Sequence, residues 1–275
     1  MIAAKRPLAV LAVCLTVLGH SAPSAHAQTP SVDRAARVDR LLKELLSYDG
    51  TGPSPERYVQ IRDNNTQQVL SEVDAFVGEH FIPGSKWSAE EVTAGLQQLL
   101  HVRTAPLARS TFFANLPSGR FLVTCVEVRR MGGSGPEDAM WFRAYREVGS
   151  QYLPAANAEF LLPGNTSQVE PRLLGNLRTV ELRRRPVTSE FWFLAWAQVE
   201  SPPPAVMIAL RLLGFDGEKF RTVAATNGLA VADFDRAVEE TDGSGFTVRR
   251  SADGSGVAVI ERYTVTPGGP VKLAQ

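Results

Sequence analysis

The chain has 275 residues, with 29 basic and 29 acidic side chains, 44% hydrophobic residues and two cysteines. Balanced charge excludes a global electrostatic pull toward nucleic acid or anionic lipid. So few cysteines exclude a disulfide-stapled scaffold, and the length supports a substantial apolar core, as one large domain or two small ones.

The first residues read as an export signal. Lys5 and Arg6 form a basic start, followed over residues 8–18 by an apolar run. About ten residues suit a signal-peptide core and fall short of the roughly 20 that a spanning helix needs. Ala25-His26-Ala27 fits small-x-small cleavage, so residues 1–27 read as a leader and the mature chain starts at Gln28. Val13, where a small residue is expected, argues against lipidation of Cys14. Cleavage removes two bases and no acids, leaving 27 against 29 (29 − 2 against 29 − 0) and Cys125 as the one cysteine. A secreted chain without an intramolecular disulfide suits a bacterial periplasm. Charges or prolines interrupt every later apolar run, so no transmembrane segment is predicted in the mature chain.

Residues 28–105 read as a helical segment. Ser31 can cap a helix carrying Ala35, Val38, Leu41, Leu42 and Leu45 at helical spacing, with Gly50 to end it. Ser54 and Pro55 open a second helix, with Tyr58, Ile61, Val69, Val73, Phe76 and Val77 on its apolar face. The polar stretch at residues 63–68 predicts a bend or break within it. Ser88 and Glu91 form a capping box for a third helix, with Val92, Leu96, Leu99 and Leu100 on its buried side.

Residues 106–275 change to strand periodicity. Strands are predicted at 111–114, 120–130, 139–148 and 151–155, then at 177–183, 191–199, 205–213 and 220–224, and finally at 246–250, 257–265 and 271–273. Glycine-rich turns separate them. Residues 191–199 are apolar on both faces, which requires cover on both sides and places this strand mid-core. Val231, Phe234 and Val238 fit a helix better than a strand. The fold class is therefore α+β: N-terminal amphipathic helices followed by an antiparallel β-meander sheet or sandwich. Partial propeller-like repeats are the alternative, weakened by the uneven spacing of Gly149, Gly217 and Gly268.

Mechanistic motifs are missing. Beyond the leader stand only His80 and His101, each near a predicted helix end where a cation meets the helix dipole. There is no His-x-x-x-His or Cys-x-x-Cys spacing, no nucleophile elbow and no phosphate loop, so no metal or cofactor is implied. Cys125 lies in an apolar strand and reads as a small buried hydrophobe. Asp233, Asp235 and Glu239 read as a solvated helix face rather than a calcium loop. Trp141, Tyr145, Trp192 and Trp196 read as core.

Arginines recur after strands: Arg129 and Arg130, Arg183 to Arg185, and Arg249 with Arg250. If Arg129, Arg130, Arg183, Arg184 and Arg185 converge on one sheet edge, they form an anion-binding rim, because guanidinium forks match carboxylate and phosphate. The competing reading is charge that protects strand ends from aggregation. The sequence thus reads as an exported soluble protein with a binding or scaffolding role in the bacterial envelope, its partner an envelope protein or a small anionic ligand. An envelope hydrolase using a carboxylate or histidine in a helix–sheet cleft is the alternative. A carrier for an apolar ligand under a curved sheet is the third reading.

Overall fold

The computed structural model describes residues 31–47, 54–84, 87–100, 108–132, 135–160, 173–182, 187–201, 205–241, 245–252 and 257–273. Three helices lead: α1 (Val32–Leu46), α2 (Pro55–His80) and α3 (Ala89–Leu99). Their starts follow the expected chemistry. Ser31 and Ser54 each accept a backbone N–H of the first turn, and Ser88 with Glu91 closes a complete capping box. The second helix runs unbroken through its polar stretch, contrary to expectation. Asn65 and Thr66 are buried there, but Asn65 donates to Glu44 of α1 at 3.1 Å and Thr66 to the Arg62 carbonyl at 2.8 Å. Satisfied side chains leave the helical backbone undisturbed.

The strands among the described residues form three antiparallel meanders of four. The first is β1 (Ala108–Leu116), β2 (Gly119–Gly132), β3 (Gly135–Val148) and β4 (Gln151–Glu159), in that spatial order. The second is β5 (Leu173–Glu181), β6 (Phe191–Val199), β7 (Val206–Phe215) and β8 (Phe220–Val231). The third is β9 (Val238–Thr241), β10 (Gly245–Ser251), β11 (Ala258–Thr266) and β12 (Gly269–Lys272). The second and third join into one eight-stranded sheet where Arg250 of β10 pairs with Val231 of β8.

Side-chain alternation turns this topology into layers. On β2, Leu122, Val126 and Val128 meet the helices, while Phe121, Val123 and Cys125 meet the second meander. On β6, Phe191, Phe193, Ala195 and Ala197 face the first meander, and Trp192, Leu194 and Trp196 face the third. The strand apolar on both faces is therefore covered on both. The order is helices, first meander, second meander, third meander, with a hydrophobic core at each junction. No helix among the described residues is long and apolar enough to cross a membrane.

Residues 231–238 are not helical. Val231 ends β8, Phe234 lies in a turn and Val238 begins β9. The Asp233 side chain accepts the Asp235 N–H at 3.0 Å, and the Ala237 N–H reaches the Phe234 carbonyl at 3.3 Å. Asp233 and Asp235 thus belong to a turn, and Glu239 to a strand, where it pairs with Arg249 at 3.1 Å.

Candidate functional site

The third meander leaves β8 at Val231 and curls over the outer face of the second. A Cβ on Gly269 of β12 would lie 3.7 Å from the Val223 carbonyl of β8, so the meander returns to the strand it left. Between these two points β8 bulges and parts from β10. Gly228 sits in this bulged stretch at φ +71°, a conformation that favours glycine. From beneath, buried Arg211 donates to the Thr226 carbonyl at 3.1 Å and to Asn227 Oδ1 at 2.6 Å. Its guanidinium also lies 5.0 Å from the Phe160 ring. Arg211 therefore holds the bulge open.

The space so formed is a cavity of about 390 Å³. Leu194, Leu210, Leu212 and Leu229 line it from the second meander, and Phe246 and Val248 from the third. Lining residues Ala225, Thr226 and Gly228 are exposed, so the cavity opens along β8. Beside Ala224 and Pro270, a polar wall completes it: Arg250, Glu261 and Tyr263. Glu261 is buried and accepts from Arg250 Nη1 at 3.2 Å, Lys272 Nζ at 2.6 Å and the Tyr263 hydroxyl at 2.7 Å. Burial pushes the Glu261 carboxyl up, but the bonds from Lys272, Tyr263 and Arg250 outweigh it and hold it below the usual carboxylate range. Burial, and then the bond to Glu261, pushes the Tyr263 hydroxyl up to about 12. At neutral pH the group is one carboxylate held by two cations and a neutral phenol.

The sequence-derived arginines sit elsewhere. Arg129 and Arg130 are neighbours on β2 and point to opposite faces, so their side chains do not converge. Arg129 makes a two-pronged bond to Asp138, at 2.9 and 3.1 Å, and Arg130 lies 3.6 Å from Glu159. Arg183, Arg184 and Arg185 lie outside the described residues. Of the third arginine pair, Arg249 faces outward to Glu239, while Arg250 faces the cavity. The cavity residues Glu261 and Tyr263, and Lys272 that bonds Glu261, carried no functional reading in the sequence. A usable signal existed, because the hairpin at residues 258–272 pairs Tyr263 with Lys272 and strand alternation puts Glu261 on the same face.

Other chemistry-bearing side chains are structurally engaged. Arg143 and Tyr145 of β3 both donate to Asp74 of α2, Arg143 Nε at 2.7 Å and the Tyr145 hydroxyl at 2.8 Å. An open groove between α2 and β4, near Ile82 and Leu153, adjoins this cluster. His80 ends α2, with Nδ1 3.1 Å from the Phe76 carbonyl and its ring stacked on Phe76. His101 lies outside the described residues. Cys125 is buried between the first two meanders, and that burial pushes its thiol well up. Among the described residues, no three His, Cys, Asp or Glu side chains assemble as a metal-ligand set. Comparison with protein-family models, curated proteins and solved structures yields no match.

Proposed function

We propose that the protein is exported to the bacterial envelope and there binds a small ligand with an apolar body, in the cavity between the second and third meanders. The observation carrying this reading is the cavity itself. Its volume of about 390 Å³ falls within the range of ligand sites, and a mainly aliphatic lining with a few convergent polar groups is what such sites require. Cores are otherwise packed to crystal-like density, so a space of this size bounded by Leu194, Leu210, Leu212 and Phe246 departs from ordinary core packing. The export half of the proposal rests on the basic, apolar and small-residue grammar of residues 1–27.

Thermal-shift and calorimetric titration of the mature protein with decanol tests the binding half. Saturable binding is expected, and it should disappear in Leu210→Trp, which fills the cavity. Ala225→Trp, at the mouth, is a second block that leaves the core untouched. Absence of binding to the native protein, or binding unchanged in both variants, would contradict the reading.

A further inference from the structure

The polar wall of the cavity does more than tolerate a ligand. Arg250 in the wall and Lys272 beside it carry two positive charges and share one carboxylate, Glu261, so this cluster has a net charge of +1 (+1 + 1 − 1). Both Glu261 oxygens are engaged, Oε1 by the two cations and Oε2 by Tyr263. Glu261 therefore orients the cations, and its charge is already outnumbered by them, which disfavours a cationic ligand. Arg250 has donor capacity to spare: Nη1 binds Glu261, while the side chain is 43% exposed and lines the cavity with its remaining terminal N–H groups. A charged acceptor makes the strongest bond to such a guanidinium.

We infer that this wall selects a carboxylate head group, so that the ligand is a straight-chain monocarboxylate whose tail lies on Leu194, Leu210 and Leu212. The inference rests on the apolar-ligand reading above. A planar carboxylate matches the guanidinium fork, and a single negative charge balances the excess of one. At about 30 Å³ per heavy atom, the share of a water in the liquid, the 390 Å³ space holds roughly a dozen heavy atoms, the size of a medium-chain fatty acid. The head sits at Arg250 and the tail runs into the leucine-lined end.

Calorimetry on the mature protein with decanoate, decanol and decyltrimethylammonium decides the matter. Decanoate is expected to bind about tenfold more tightly than decanol, the scale of one charge-assisted hydrogen bond, and the ammonium more weakly than either. Arg250→Gln should bring the ratio of decanoate to decanol affinity, both measured on that variant, close to one. Lys272→Gln, an exposed position at the same carboxylate, should reduce it in the same direction if Arg250→Gln fails to fold. Equal affinity for decanoate and decanol overturns the head-group inference while the cavity reading stands. Binding of neither overturns the cavity reading itself.

Discussion

Single buried polar groups fix much of this fold. Asp74 ties α2 to β3 through Arg143 and Tyr145, both buried, with Tyr145 wholly so. Burial works against the Arg143 charge, but its bonds to the Asp74 carboxylate, with Tyr145 beside it, outweigh that and raise its pKa. Asp74→Ala leaves a buried guanidinium uncompensated and should cost about 3–5 kcal/mol, whereas Asp74→Ala with Arg143→Met should recover part of that loss. Urea denaturation of the two variants measures the difference. The acidic side of stability follows from Glu72, Glu79, Asp216 and Glu261. Arg37 and then Arg34 hold Glu72 below its ordinary pKa, and Arg34 does the same to Glu79. For Asp216 burial acts upward, but the N–H groups of Lys219 and Glu218 prevail. All four are depressed in the folded state, so the unfolded chain binds more protons once the pH drops below the ordinary carboxylate range. Their stabilisation is complete above about pH 5 and is lost as pH falls through the lower folded values. Urea midpoints should therefore drop below pH 5, and Arg34→Gln should flatten that drop. Cys125 should react with thiol reagents only after denaturant is added, since its strand is buried on both faces.

At the scale of elements, the sequence was legible wherever local chemistry decides the structure. Ser31, Ser54 and the Ser88–Glu91 box start helices because their side chains satisfy the first-turn N–H groups without tertiary help. Strand β6 was legible because unbroken apolar character demands cover on two faces. Trp192 and Trp196 are accordingly buried, with Trp196 Nε1 donating to the Phe234 carbonyl at 3.1 Å. Trp196→Ala should lower stability by about 3–5 kcal/mol, read as a shift in the denaturation midpoint. Strand β9 was hidden because a strand end, a turn and a strand start placed Val231, Phe234 and Val238 at helical spacing. The cavity was hidden for a different reason. It depends on where β12 meets β8 and on the bulge that Arg211 supports, and neither long-range contact leaves a local pattern. The hairpin β10–β11 is close-fitting enough to test: a Cβ at Gly245 would collide with the Tyr263 carbonyl oxygen, an atom of the backbone itself. Gly245→Ala should therefore displace β11, and with it Glu261 and Tyr263, weakening ligand binding more than it disturbs the far-off helices.

At the largest scale, the described residues form three four-stranded meanders that stack like leaves, with helices closing one end. The grammar of repeated meanders read from the sequence is thus present, but the second and third share a sheet through the Arg250–Val231 pair rather than standing as separate blades. That shared edge converts what would be a solid junction into a junction with a hollow. The helical segment and the first meander, by contrast, share one dense core that includes Leu42, Val73, Phe76, Leu96, Leu122 and Tyr145. Ligand chemistry belongs on this account to the end of the stack remote from the helices, and the open groove between α2 and β4 takes no part in it. Methyl-resolved NMR titration of the protein with decanoate locates binding directly. Shifts confined to Leu194, Leu210, Leu212, Leu229 and Val248 are the predicted result, and shifts centred instead on Ile82 and Leu153 would contradict it.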